Sequence, residues 1–131
     1  MPGGTDRANY QAAFELLKQG RYKEANAALR QFRVAFPDSS LADNAQYWLA
    51  ETQYVSQAYD KALPEFQVVV ERFPQSRKVP DSLLKIGFCN YELKRYDAAR
   101  KALRTVVSTY PETTAARLAS ERLERMTAEG V

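Results

Sequence analysis

The chain has 131 residues, enough for one domain, with a net charge of +3 and 27% charged residues. That balance suits a wetted surface and is too small and too interspersed to mark a nucleic-acid binder. There is no histidine and one cysteine, Cys89, which excludes an internal disulfide, a zinc site and a Cys/His nucleophile pair.

In chain order the sequence predicts seven helices and no strand. Residues 1–5, opening Met1-Pro2-Gly3-Gly4, read as a linker remnant or an added start. The first helix runs from about Thr5 or Asp6 to Gln19. Asp6 suits the positive end of its dipole, and Gly20 supplies a left-handed stop. The second runs from Tyr22 to Phe36, with Ala25, Ala28, Leu29, Phe32 and Phe36 as its apolar stripe, and Pro37 ends it. The third spans Ser40 to Gln57 and the fourth Tyr59 to Phe73. Pro64 falls late for a first helical turn, so a kink or a delayed start is expected there. The fifth runs from Arg77 to Leu93 with Pro80 in its first turn, and the sixth from Tyr96 to Thr109 or Tyr110. A last helix, Thr113 to Thr127, has no partner. Its Leu118, Leu123 and Met126 face inward, while Arg117, Glu121, Arg122, Glu124 and Arg125 stay wet. No apolar run of about 18 residues occurs, so no segment is expected to enter a membrane.

One interval organises these helices. Pro74 minus Pro37 and Pro111 minus Pro74 are both 37. Phe36, Phe73 and Tyr110 precede those prolines. Tyr22, Tyr59 and Tyr96 keep the same step, as do Ala25, Ala62 and Ala99, and the small residues Ala13, Ala50 and Gly87. A period of a few tens of residues marks a solenoid, in which each unit buries its apolar face on the next.

A small residue, an alanine twelve later and a proline twelve after that resemble the tetratricopeptide repeat, whose usual slots are partly kept. The resemblance implies an all-α, right-handed tetratricopeptide solenoid of three helix pairs plus a C-terminal capping helix. It covers residues 6–128, with units at about 6–37, 40–74 and 77–111 and a cap at 113–127. The usual repeat has about 34 residues, so each unit carries about three extra. They follow the proline, where Ser39, Ser76 and Thr113 stand in register as helix caps. The expectation is that they lengthen the next first helix by one turn. Ser40-Leu41-Ala42-Asp43 offers an alternative capping box.

No catalytic, metal or cofactor constellation emerges. The pair Glu121 and Glu124 lies on an arginine-rich helix and reads as a solvated face. Cys89, beside Phe88, reads as a small packed residue. The informative surface is the inner wall that the first helix of each unit lines in this repeat type. Its candidate positions are Tyr10, Phe14 and Leu17, then Tyr47, Glu51 and Tyr54, then Leu84, Phe88 and Tyr91. Spacings of three and four keep each trio on one helical face. Two readings fit the nine: core residues that pack helix on helix, or an exposed groove that takes a partner segment. The slots that usually pack the core hold the polar Gln46, Gln53 and Asn90, which favours the groove at Tyr47, Glu51 and Tyr54. Tyr10 and Phe14 stand where chaperone-tail receptors of this repeat type carry a carboxylate clamp, so that function is not expected.

Tyr47-Trp48-Leu49-Ala50-Glu51 with the downstream Tyr54, and Phe36-Pro37-Asp38-Ser39, resemble the C-terminal domain of the Tol-Pal-associated YbgF/CpoB family, the cell division coordinators. The likeness runs from about Asp6 to Arg122-Leu123-Glu124-Arg125-Met126; Ala50 replaces that family's usual glycine. It implies a non-catalytic periplasmic adaptor that binds a TolA-like protein, with a peptidoglycan synthase as a further partner. Such an adaptor helps couple outer-membrane constriction to peptidoglycan synthesis in division. It also implies oligomerisation through an N-terminal coiled coil that this stretch lacks. The alternative is a tetratricopeptide component of an outer-membrane protein assembly complex.

Overall fold

The computed structural model describes residues 4–131. Among them are seven α-helices and no strand: α1 (Asp6–Lys18), α2 (Tyr22–Ala35), α3 (Ala42–Val55), α4 (Tyr59–Arg72), α5 (Val79–Glu92), α6 (Tyr96–Thr109) and α7 (Thr114–Glu129). The chain divides into two compact units, one ending at Glu65 and one starting at Phe66, so the division falls inside α4 just past Pro64. The linker reading of residues 1–5 lies outside the described residues for 1–3. Thr5 belongs to α1, because its side chain accepts the Ala8 N–H at 3.1 Å as the N-cap.

In unit 1, α2 packs against both α1 and α3. Ala13, Leu29, Phe32, Ala45 and Leu49 form the core, and the alanines let the helices approach closely. The predicted stripe of α2 holds: Ala25, Leu29 and Phe32 are buried, while Ala28 and Phe36 are half-buried against the core. Gln46 is buried too, contrary to the expectation drawn from its polarity. It sits there because both ends of its amide are satisfied. Arg33 Nε donates to Oε1 at 3.1 Å, and Nε2 donates to the Glu65 carbonyl at 3.0 Å. Asn90 in unit 2 is buried likewise, donating to the Ile86 carbonyl at 3.0 Å.

In unit 2, α6 packs against α5 and α7, and α5 also touches α7. Leu84, Ala99, Leu103, Val106, Ala119 and Met126 lead its core. Gly87 is where Leu103 leans on α5. A Cβ there would stand 2.6 Å from Leu103 Cδ2 and 2.7 Å from Cγ. The chain therefore needs the smallest residue at this crossing.

Each first helix ends in the same way. Gly20 has φ +75°, its N–H bonds the Leu17 carbonyl and the Arg21 N–H bonds the Leu16 carbonyl. Gln57 and Lys94, each 37 residues on, repeat both bonds at φ +62° and +63° without being glycine. Gly130 closes α7 at φ +78°.

The joints correct two expectations. At the first two joints the extra residues do not lengthen the next helix, which starts at Ala42 and Val79; at the third, α7 starts at Thr114 and takes some of them in. At the first two they form consecutive tight turns: Ser39 N–H to the Phe36 carbonyl at 3.2 Å, then Ala42 N–H to the Ser39 carbonyl at 3.0 Å, with the same pair at Ser76 and Val79. Proline at the second position of such a turn presets its φ. Thr113 does cap α7, accepting the Ala116 N–H at 3.1 Å. Ser39 and Ser76 instead accept the N–H two residues on, inside the turn. The Ser40–Asp43 capping box does not form, since Asp43 accepts the Asn44 N–H. Pro64 delays nothing: α4 starts at Tyr59 and carries Pro64 inside it, four residues after the exposed Asp60.

Candidate functional site

The wall residues of unit 1 stand on α1 and α3. Tyr10 and Phe14, one turn apart, stack with ring centres 6.0 Å apart and 17° between planes. Tyr10 meets Phe32 of the core edge-on at 5.9 Å. Burial raises the Tyr10 phenol above its ordinary value, and a hydrogen bond with Trp48 opposes that rise. Phe14 meets the Trp48 indole edge-on at 5.4 Å, and Trp48 meets Tyr47 at 5.1 Å. Tyr54 leans edge-on against Tyr59 at 5.5 Å. The result is a run of aromatic rings, rigid because each ring is held by the next.

Tyr47 and Leu84 leave the candidate set. They are 7% and 3% exposed, so they pack the core and cannot anchor a partner. Tyr10, Phe14, Leu17 and Tyr54 are half-buried and reachable; Glu51 is half-buried with its Oε1 turned inward. Trp48 joins them, half-buried between Phe14 and Tyr47. The 37-residue step puts Gln11 and Lys85 in its slot, so the periodicity gave no aromatic column there. The one signal was its place in the Tyr47-Trp48-Leu49-Ala50-Glu51 stretch that carries the family resemblance.

Unit 2 differs. Phe88 and Tyr91 are half-buried on α5, but α7 lays arginines on them. The Arg122 guanidinium lies 4.1 Å from the Phe88 ring centre and 4.8 Å from that of Tyr91. Arg125 lies 5.6 Å from Tyr91. The Tyr91 hydroxyl donates to Glu129 Oε1, and Arg125 Nε donates to Oε2 at 3.2 Å. The bond to Glu129 raises the Tyr91 phenol; the same bond and the one from Arg125 lower the Glu129 carboxyl. Arg122 is therefore a stacked residue and not a freely solvated one. A cleft of about 230 Å³ remains beside it, between Phe88, Leu118, Glu121 and Arg125.

Two family models described as tetratricopeptide repeat match the chain, over residues 10–77 and 81–113. The first alone spans more than half of it. Two Pseudomonas putida sequences named cell division coordinator CpoB are each 44% identical over 46 residues. That stretch is 35% of this chain and 17% of each relative, so the chain matches only a small part of their length. Among solved structures, the C-terminal TPR-containing domain of an FK506-binding protein from Plasmodium falciparum matches with a TM-score of 0.60. The match covers 95% of this chain and 97% of that one at 18% identity, which shows a common fold. The repeat step, the helix pairs and the family match agree: this chain belongs to the tetratricopeptide repeat family.

Proposed function

We propose that this chain is a non-catalytic adaptor domain whose unit 1 wall grips a partner protein through Phe14, Trp48 and Tyr54, with Tyr10 and Leu17 beside them. The tetratricopeptide repeat is a protein-binding scaffold. The observation that carries the reading is the edge-to-edge aromatic run of unit 1, half-exposed and held rigid. Rigid aromatic side chains lose little entropy when they anchor a partner. Glu51 on the same helix adds a negative charge, which suits an apolar partner segment that bears a basic group.

The 44% match to CpoB favours a role of the cell division coordinator kind. On that reading the domain works in the periplasm, binds a TolA-like protein and links outer-membrane constriction to peptidoglycan synthesis. The test is titration of the domain with the TolA periplasmic segment from the same organism. Saturable binding that Phe14→Ala or Trp48→Ala weakens supports the reading. Binding of TolA that neither substitution alters would place the contact on another face.

A further inference from the structure

We propose that unit 1 carries a second, separate site: a polar cleft that takes the carboxylates of an acidic partner segment. The cleft holds about 380 Å³ between the first turns of α2 and α4 and the last turn of α3. Lys23 lines it from α2 and Lys61 from α4, with Tyr22, Asn26 and Gln53 beside them. No carboxylate lines it. Neither lysine is ion-paired among the described residues. Glu24, also in the first turn of α2, is forked onto Arg21. Asp60 is exposed and does not line the cleft.

Unit 2 repeats this cleft two periods later, and the contrast is informative. Tyr96, Asp97 and Arg100 line it there, in the slots of Tyr22, Lys23 and Asn26. Asp97 and Arg100 pair with each other, so that cleft, which Lys94 also lines, sets an aspartate and its ion pair where unit 1 has only cations. Asp60 stands in the same slot of α4. Only the first helix pair has a lysine where the other two have an aspartate.

A lysine in that slot is electrostatically unfavourable by itself. A helix N-terminus favours acidic residues and disfavours cations. Here two cations in two first turns face one solvent-filled space. A bound carboxylate offsets both charges and forms charge-assisted hydrogen bonds. Donors are at hand. Asn26 Nδ2 donates one hydrogen to Thr52 Oγ1 at 2.8 Å and keeps its second, and the amide of Gln53 lies on the rim. No guanidinium fork, the group best matched to phosphate, lines the cleft. The aromatic wall cannot clamp a carboxylate, so the two sites take opposite chemistry.

The test is a nuclear magnetic resonance titration of the domain with a blocked tetraglutamate peptide at low salt. Saturable amide shifts are expected at Tyr22, Lys23, Asn26, Gln53 and Lys61. Lys23→Gln with Lys61→Gln should weaken binding about tenfold or more, each single change giving part of that. Lys94→Gln with Arg100→Gln in unit 2, and Phe14→Ala on the wall, should leave it unchanged, which separates this site from the proposed adaptor surface. Circular dichroism confirms that each variant stays folded. Shifts spread over all exposed lysines, or wild-type affinity in the Lys23/Lys61 variant, would overturn the site. Inorganic phosphate binding more tightly than the peptide would overturn its assignment to carboxylates.

Discussion

Arg122 covers Phe88 as Trp48 covers Phe14. Each pair is separated by 34 residues, and the Phe88/Arg122 pair lies 74 residues after the Phe14/Trp48 pair, two repeat steps. The guanidinium lies 4.1 Å from the Phe88 ring centre, and the indole meets Phe14 at 5.4 Å. One fold position is thus filled by an aromatic ring in unit 1 and by a cation in unit 2. Under the proposed function the first presents its ring to a partner; the second lies under a cation.

That contact should be measurable as stability. Arg122→Ala is expected to cost about 0.5–1 kcal/mol, the usual range for a cation over an exposed ring. Arg122→Lys should recover only part, because an ammonium cannot stack as a planar guanidinium does. Urea unfolding of the three proteins checks this, and equal midpoints would show that the stacking contributes nothing.

The left-handed residues Gln57 and Lys94 are a reserve of stability. A side chain in that conformation costs about 1 kcal/mol, which glycine avoids. The gain is reduced by the extra freedom glycine has when unfolded. Gln57→Gly and Lys94→Gly should each raise stability by about 0.5 kcal/mol. A fall in melting temperature for either would mean that the side chain makes contacts worth more than the strain.

Ser82 should be improvable in the same direction. It is fully buried, and its hydroxyl has no hydrogen-bond partner among the described residues. Ala45 and Ala119 fill the same slot 37 residues before and after it, both fully buried. Ser82→Ala is expected to stabilise the domain by about 1 kcal/mol, the desolvation cost of an unmatched hydroxyl. Destabilisation would show that the hydroxyl is satisfied in solution.

The start of α1 gives a pH dependence. The Ser39 hydroxyl, donating to Asp6 Oδ2 at 2.5 Å, and then the Arg7 N–H hold the Asp6 carboxyl below its ordinary value of 3.8. A carboxyl whose folded pKa is depressed adds stability above the unfolded pKa and loses it as pH falls through the folded one. The stability difference between the wild type and Ser39→Ala should therefore be widest at neutral pH and shrink below about pH 4. Denaturant titrations from neutral to acid pH would show it. A gap that stays constant throughout would remove Asp6 from the account.

Much of this architecture is legible in the residues. The 37-residue step located the paired helices, and Ala25, Ala62 and Ala99 are all fully buried as a shared slot requires. What escaped has physical causes. Gln57 and Lys94 carry no glycine, so the left-handed conformation there left no mark, although the repeat step placed helix ends beside both. Gln46 looked misplaced until its partners on α2 and α4 were visible, because satisfaction is a tertiary property. Trp48 stood outside the aromatic columns of the step. Arg122 read as solvated because the sequence does not show that α7 returns over α5.

The central claim is that the unit 1 wall is a partner surface and not merely core. Tyr54 tests it most directly, being half-buried on α3 with its ring edge-on to Tyr59 at 5.5 Å. Calorimetric titration of a TolA-like segment into the wild type, Tyr54→Ala and Lys101→Ala is the decisive measurement. Truncating an aromatic anchor costs about 2 kcal/mol, so Tyr54→Ala should bind roughly thirtyfold more weakly while staying folded. Lys101→Ala, an exposed change on α6, should bind as the wild type does. A folded Tyr54→Ala with wild-type affinity would contradict the claim.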